Sequence, residues 1–172
     1  ANDVSKIIVH GSRSTVEHVG WKYEPQGLTA AQLNLGYCVA TLLTEGECFV
    51  DQFTEKKLAD PSRMALARKL EARHDPDMTA KGPKFRQMVR VEVHLKSGAR
   101  LERTVEIARR KQEIASEAEI VAKFQNLAGH VLPGKQIERL RDAVLELERL
   151  DDASRIARLM QKGKGKREKG KG

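Results

Sequence analysis

Four side chains that can transfer protons or bind anions fall within one short stretch near the start of the sequence. His18, Lys22 and Tyr23 place an imidazole, an ammonium and a phenol within six residues, and Arg13 precedes them. Histidine and tyrosine can exchange protons with a reacting group, whereas lysine and arginine pair with carboxylates. We therefore regard this stretch as a candidate wall of a binding cleft. The structural alternative is that its aromatic residues only pack against the domain.

The sequence contains no pattern of metal ligands. Its two cysteines, Cys38 and Cys48, form neither a Cys-x-x-Cys pair nor a cluster with histidine at metal-binding spacing. Both lie in or beside an apolar stretch, which favours buried thiols in a reducing cytosol over a disulfide. We therefore expect no metal site.

The net charge of +8 raises the question of nucleic-acid binding. The last eleven residues, Lys162 to Gly172, hold six Lys/Arg and one Glu, so +5 of the total lies there. Their Lys-Gly alternation has no apolar side chain to bury, which predicts a flexible tail over residues 162–172. This concentration argues against a specific nucleic-acid surface on the folded part. No apolar run could span a bilayer and no signal peptide is evident, so we expect a soluble, cytoplasmic protein without a membrane partner.

The N-terminal part of the sequence predicts a strand, a long loop and a helix. Val4–Val9 is rich in β-branched residues, which favours a strand. Residues Gly11–Gly27 show neither helical nor strand periodicity, and a loop of that length inside a domain is often functional. Ala30–Thr44 has helical spacing, with Thr29 as the expected N-cap and Gly46 as the stop. Because this helix carries almost no charge, we expect it to be buried on most sides.

The middle of the sequence predicts a second helix and then a β-hairpin. Asp60-Pro61 is a typical helix start, and the helix should continue to about Arg73. Val89–Leu95 alternates apolar and polar residues, Ser97-Gly98 turns the chain, and Leu101–Ile107 continues with strand-forming residues.

The C-terminal part of the sequence predicts helices. A capping box at Ser116–Glu119 starts the first, Pro133-Gly134 ends it, and two further helices cover Ile137–Leu147 and Ile156–Met160. The order of elements predicts an α+β fold, in which a small antiparallel or mixed sheet with a hairpin packs against several helices. We expect one domain over residues 1–161.

Several segments, taken in order, resemble the 2-methylcitrate dehydratase (MmgE/PrpD) family at its C-terminal domain. The family pattern has an aromatic and proline loop, an Ala-Gln helix with a central tyrosine, and then glycine. The resemblance extends from Ile7 to about Leu159. The matching segments are Gly20–Pro25, Thr29–Gly46, Asp60-Pro61, Leu95–Gly98 and Lys123-Phe124.

The resemblance implies the cleft-covering part of a cofactor-independent lyase, such as a dehydratase acting on 2-methylcitrate or another 2-hydroxy di- or tricarboxylate. Most active-site residues would come from a missing N-terminal helical domain, so we expect this fragment alone to be inactive. Tyr23 would correspond to the family's catalytic tyrosine, and Lys22, His18 and Arg13 would contact the small carboxylate substrate. Relatives commonly form homodimers, which makes a homodimer possible here.

Two departures from the family pattern leave the substrate and the reaction open. Gly36 stands where relatives tend to have proline or serine, and Ala108–Glu113 replaces the usual Pro-Arg-Gly loop. Dehydration, decarboxylation and isomerisation all remain open. The alternatives from other classes are a nucleic-acid-binding module and a non-catalytic dimerisation or ligand-binding domain.

Overall fold

A computed structural model of the chain describes residues 2–106 and 115–161. Within the range that the sequence assigned to one domain, contacts group the chain into two compact units, residues 1–113 and 114–172. The predicted tail over residues 162–172, the predicted strand residue Ile107 and the segment Ala108–Glu113 lie outside the described residues.

The first unit is built on a four-stranded mixed sheet. Its strands are β1 (Val4–Gly11), β2 (Leu70–His74), β3 (Val89–Leu95) and β4 (Arg100–Val105). Their order across the sheet is β2-β1-β3-β4, with β1 parallel to β2 and antiparallel to β3, and β3 antiparallel to β4. The predicted hairpin is therefore confirmed as β3 and β4, and the predicted α+β fold class is confirmed as well.

The described residues of the first unit also form helices. They are α1 (Arg13–Val19), α2 (Leu28–Gln32), α3 (Leu35–Glu45), α4 (Glu55–Leu58), α5 (Pro61–Ala67) and α6 (Pro76–Ala80). Because side chains alternate along a strand, Ile7 and Val9 of β1 face the core together with Val91 of β3. Tyr23 and Tyr37 belong to the same core.

The predicted loop over Gly11–Gly27 is wrong in its first half, where helix α1 forms. Ser12 is the N-cap, and its hydroxyl accepts a hydrogen bond from the Thr15 backbone N–H. The helix spans barely two turns and buries none of its residues, so its sequence carries no apolar stripe from which it could be recognised.

The predicted helix over Ala30–Thr44 is divided into α2 and α3 at Asn34. The Asn34 side chain accepts a hydrogen bond from the Tyr37 N–H at 2.9 Å and donates one to the Trp21 carbonyl oxygen at 2.7 Å. As an N-cap, Asn34 has an extended backbone with φ of −108° and ψ of 121°, so the helical conformation is interrupted there. Gly27, with φ of 104°, precedes α2 in place of the expected cap Thr29, and Gly46 ends α3 as predicted.

Strand β2 corrects the predicted end of the second helix. Asp60 caps α5 as expected, accepting a hydrogen bond from the Arg63 N–H at 2.8 Å, but the helix ends at Ala67 and not near Arg73. Leu70–His74 instead pairs in parallel with β1. Strand pairing depends on the neighbouring strand, so local propensity did not indicate it.

The second unit consists of helices α7 (Glu117–Gly129), α8 (Gly134–Leu145) and α9 (Ser154–Met160). The predicted capping box is confirmed: the Ser116 hydroxyl and the Glu119 carboxylate each bond to the other's backbone N–H. Leu140, Ala143 and Leu159 form its small core. None of the helices in the described residues combines the length and apolar character needed to cross a membrane.

Candidate functional site

An open cleft of about 480 Å³ lies beside α1 in the first unit. One wall is α1 itself, a second is the start of α3, and the third is the segment leading into β3. The lining side chains are Ser14, Thr15, His18, Val19, Leu35, Arg86, Gln87 and Val89. The lining thus combines apolar side chains with hydroxyl, imidazole, amide and guanidinium groups, which can bind a polar small molecule.

Two hydroxyl groups fix α1 to the opposite wall of the cleft. Ser12 Oγ donates a hydrogen bond to the Arg86 carbonyl oxygen at 2.7 Å, and Thr15 Oγ1 donates to the same oxygen at 2.8 Å. A carbonyl oxygen has two lone pairs and can accept both. The backbone at Arg86 is therefore held in place, while its exposed guanidinium lies at the cleft.

His18 is held by Ser14. Its Nδ1 lies 2.8 Å from the Ser14 carbonyl oxygen and 3.3 Å from the Ser14 hydroxyl, and because a carbonyl oxygen can only accept, the shorter contact favours the tautomer with the proton on Nδ1. Nε2 then keeps its lone pair and can accept a proton or a hydrogen bond from a ligand. This arrangement suits a group that exchanges a proton within the cleft.

The structure brings His18 to the cleft, whereas the other three predicted site residues lie outside its lining. Arg13 is exposed, and its guanidinium lies 4.0 Å from the Glu17 carboxylate on the same helix. Lys22 is exposed as well. Sequence reasoning missed Arg86, which comes from a turn that precedes β3; its one sequence signal is its place in a short basic stretch after Gly82.

Tyr23 lies in the core of the first unit. Only 2% of it is exposed, and its hydroxyl donates a hydrogen bond to the Leu58 carbonyl oxygen at 3.0 Å. Burial, with a smaller contribution from Tyr37, raises the pKa of Tyr23 to about 12, although the charge of Arg63 opposes this. These contacts favour a structural role. A role in chemistry stays a prediction.

The similarity to known proteins covers the first unit and continues into the second. The family model described as MmgE/PrpD C-terminal domain matches residues 1–149. The chain belongs to this family. A cis-aconitate decarboxylase of Aspergillus terreus is 27% identical over 163 residues, which are 92% of this chain and 33% of the relative. The cis-aconitate decarboxylase-like protein oryM of Aspergillus oryzae is 27% identical over 161 residues, with the same two shares. The chain thus spans about a third of the length of these curated relatives.

An ion pair between the buried Arg63 and the partly exposed Glu45 joins α3 to α5 in this MmgE/PrpD domain. Arg63 is 5% exposed, donates to Thr41 Oγ1 at 2.8 Å and to the Glu45 carboxylate, and lies over the Tyr37 ring. Hydrogen bonds from Lys57 first and then Arg63 lower the pKa of Glu45 to about 2. The network holds α3 in place, and α3 carries Leu35 to the cleft.

The first turn of α3 explains the departure at Gly36. A Cβ added at Gly36 would lie 3.1 Å from the Ala67 carbonyl oxygen and equally close to the Asn34 side-chain oxygen. Glycine therefore allows the end of α5 to approach α3 closely in this MmgE/PrpD domain.

The opposite face of the sheet carries a second polar cluster around Glu92. His10 Nε2 lies 2.9 Å from one Glu92 oxygen, and His94 Nε2 lies 3.2 Å from the other. Burial opposes ionisation of Glu92, yet hydrogen bonds from His94 and His10 and the charge of Arg100 together lower its pKa. Because both carboxylate oxygens are occupied, the cluster serves to bind β1 to β3. Among residues 2–106 and 115–161, no group of three or more His, Cys, Asp or Glu side chains is arranged to hold a metal ion.

The two thiols of the MmgE/PrpD domain are free and partly buried. Burial raises the pKa of Cys38 to about 12, and burial raises the pKa of Cys48 as well. Because the thiolate is the reactive form of cysteine, neither residue is a candidate nucleophile.

Proposed function

We propose that this chain is the C-terminal domain of a lyase that acts on a small tricarboxylate, with cis-aconitate and 2-methylcitrate as the first substrates to test. Family membership and relatives named cis-aconitate decarboxylase support the proposal. Because the match covers a third of those relatives, the proposal assigns the other active-site groups to a helical domain in the same polypeptide. The chemistry is that of side chains, without a cofactor.

Both candidate reactions need fixed cations and proton donors. In decarboxylation, the bond to the departing carboxylate breaks, CO₂ leaves, and the electron pair that stays on carbon accepts a proton. In dehydration, a base removes a proton from carbon, and the departing hydroxyl takes up a proton to leave as water. Each reaction is faster when a cation neutralises the remaining carboxylates and a positioned acid or base moves the proton.

The observation that carries the proposal is that Arg86 and His18 line the same cleft of a family-matched domain. Arg86 has no ion-pair partner within the described part of the chain, so its guanidinium is available to a substrate carboxylate, with which it can form two parallel hydrogen bonds. His18 Nε2 supplies the proton-exchanging group. Arg13 and Lys22 are exposed, and in the sequence they lie at the start of α1 and shortly after its end. They remain predicted contacts for the outer part of the substrate.

Turnover measurements on the intact polypeptide that contains this chain test the proposal. We expect consumption of at least one of the two tricarboxylates, followed by loss of CO₂ or formation of a double bond. Arg86→Met should raise KM at least tenfold, because a charged hydrogen bond contributes roughly 1.5–3 kcal/mol and about 1.4 kcal/mol is tenfold in affinity. Arg103→Met, which changes an exposed arginine of β4 outside the cleft, is the control and should leave KM within about twofold.

The outcomes separate the reaction from the residue assignment. If neither tricarboxylate is consumed, the proposed function is wrong. If one is consumed but Arg86→Met and Arg103→Met behave alike, the lyase stands and the cleft does not bind the substrate. His18→Gln adds a second readout, since loss of proton exchange should lower kcat by roughly a hundredfold or more with a smaller change in KM.

A further inference from the structure

The segment that follows α3 folds back along that helix. Gly46, with φ of 74°, ends α3 in the left-handed conformation, which glycine adopts readily. The Tyr37 hydroxyl donates a hydrogen bond to the Gln52 carbonyl oxygen at 2.5 Å, and the Gln52 side-chain amide donates one to the Glu45 carboxylate at 3.2 Å. Residues 47–52 are therefore held against α3.

This return of the chain brings its two cysteines into contact. Cys38 follows Tyr37 on α3, and its thiol lies within hydrogen-bonding distance of the Cys48 thiol. The Cys38 Sγ also lies 3.6 Å from the Ala31 carbonyl oxygen and 3.7 Å from that of Gln32. Because a thiol has one proton, these hydrogen bonds are alternatives, but together they fix the sulfur of Cys38 beside that of Cys48.

Two thiols in contact meet the geometric requirement for a disulfide, which forms only between sulfurs that can approach each other without a large movement of the backbone. Cys38 and Cys48 are both partly exposed, so a small molecule in solution can reach the pair. Neither residue lines the candidate cleft, so the pair is separate from the proposed lyase chemistry.

We propose that Cys38 and Cys48 form a site of reversible oxidation, at which a low-molecular-weight disulfide such as oxidised glutathione converts the two thiols into an internal disulfide. The bond would close a short loop around the end of α3. It would thereby fix residues 47–52 to the helix more firmly than the hydrogen bonds of Tyr37 and Gln52 do.

The oxidation consists of two successive thiol–disulfide exchanges. Cys48 loses its proton to water, its sulfur attacks one sulfur of the oxidant, and the S–S bond of the oxidant breaks to release the first small thiolate. Cys38 then loses its proton and attacks the Cys48 sulfur, which forms the internal bond and releases the second small thiolate. Both released thiolates take up protons. The two protein thiols are thus oxidised, and the oxidant is reduced to two thiols.

Cys48 reacts first because it is the easier of the two to ionise. Burial raises the pKa of Cys48, but the hydrogen bond from Cys38 and the charge of Arg63 oppose this rise. Burial first, and then the charge and hydrogen bond of Cys48, raise the pKa of Cys38 to about 12. Both thiols are too weakly ionised for catalysis in the cleft, but exchange is only slowed, since a thiolate of higher pKa is also more nucleophilic. We therefore expect the oxidation to become faster as the pH rises.

Mass spectrometry of one tryptic peptide tests the proposal. The peptide Tyr23–Lys56 contains both cysteines, and no Lys or Arg lies between its ends. The intact polypeptide that contains this chain is reduced, incubated with oxidised glutathione at pH 8, treated with iodoacetamide and digested. We expect the peptide to lose two hydrogens, to carry no alkyl group, and to regain both thiols in dithiothreitol. Cys38→Ser should stop at the mixed disulfide between Cys48 and glutathione.

The matched control moves one thiol by a single residue, in a variant that combines Cys48→Ser with Glu47→Cys. Its internal oxidation should be at least roughly tenfold slower, because the sulfurs no longer face each other. In the unchanged protein, oxidation should slow amide hydrogen exchange in residues 47–52 by roughly tenfold or more. The proposal is overturned if the peptide retains two alkylated cysteines or only mixed disulfides, if the control is oxidised equally fast, or if the internal disulfide leaves hydrogen exchange unchanged.

Discussion

Tyr23 shows how one residue type can support two opposite interpretations. A phenol next to a lysine in a loop is well suited to proton transfer, and the resemblance to lyases favours that role. In the fold, however, the phenol is surrounded by core side chains, and its single proton is donated to the Leu58 carbonyl oxygen. A pKa raised to about 12 makes the ionised form rarer still. The contacts of Tyr23 are those of a residue that fixes the segment after α1.

The variant Tyr23→Phe distinguishes the two roles, because it keeps the ring and removes only the hydroxyl. We expect the free energy of unfolding to fall by about 1 kcal/mol, the usual contribution of one hydrogen bond. We expect turnover of the intact polypeptide to change less than about threefold, since the hydroxyl has no free proton to give. Urea unfolding and steady-state kinetics provide the two measurements. A large fall in kcat without a loss of stability would show that the Tyr23 hydroxyl takes part in the reaction.

Helix α1 is the element on which the candidate cleft depends. It is short, contributes four residues to the cleft lining, and is followed by Gly20, where the chain passes close to β2. A Cβ added at Gly20 would lie 2.8 Å from the Ala72 Cβ and 2.7 Å from the Val16 carbonyl oxygen. Both distances are too short for real contacts, so any larger residue at Gly20 must displace α1 from the sheet.

The variant Gly20→Ala should therefore destabilise the first unit by about 1–3 kcal/mol, as overpacking generally does. Trp21 is the single tryptophan of the chain, so its fluorescence follows unfolding of this unit in urea. The control is Gly129→Ala at the end of α7, where an added Cβ meets nothing within 4 Å. There the loss of glycine should leave the free energy of unfolding unchanged or raise it by up to about 1 kcal/mol. Circular dichroism follows this unfolding. Equal effects at both positions would contradict the close approach at Gly20.

At the scale of the whole molecule, acidic side chains with lowered pKa values occur in both units. Glu45 and Glu71 lie in the first unit, and each has its pKa lowered to about 2 by hydrogen bonds from basic partners. Asp152 of the second unit also has a pKa of about 2, because of hydrogen bonds from Ser154 first and then Arg158. The pairs of Glu71 and Asp152 are exposed and screened by water, so they contribute little. Glu45, with its side chain 27% exposed beside the buried Arg63, is the more important group.

We expect stability to fall as the pH is lowered. An unfolded glutamate has a pKa of about 4.3, so between roughly pH 5 and pH 2 the unfolded state binds protons that the folded state does not. The stabilisation by Glu45 is complete above that window and is lost as the pH falls through it. Urea unfolding at pH 7, 5, 4 and 3 provides the measurement. Glu45→Gln should be less stable than the unchanged chain at pH 7, and the difference should shrink by pH 3.

The matched control for the pH series is Glu17→Gln, which alters an exposed carboxylate 4.0 Å from Arg13. Its free energy of unfolding should follow that of the unchanged chain at every pH, because exposed pairs contribute little to stability. A Glu45→Gln variant whose deficit persists undiminished at pH 3 would show that the network stabilises the fold by packing and not by charge.

Local patterns in the sequence determined those features whose physics is local. Alternation defined the hairpin of β3 and β4, the cap at Asp60 and the capping box at Ser116 marked helix starts, and Gly46 marked a helix end. The family was also recognisable, because its motifs are short segments in a fixed order. Each of these depends on contacts between residues a few positions apart, so the sequence is sufficient to predict them.

Tertiary structure decided whatever depends on partners distant in the sequence. Leu70–His74 became a strand because β1 lies beside it, and α1 formed where Arg86, far along the chain, accepts hydrogen bonds from Ser12 and Thr15. For the same reason, the sequence did not indicate that Arg86 lines the cleft or that Tyr23 is buried. Which side chains are buried and which share a cleft is fixed only when segments separated by tens of residues pack together, and no local pattern records that packing.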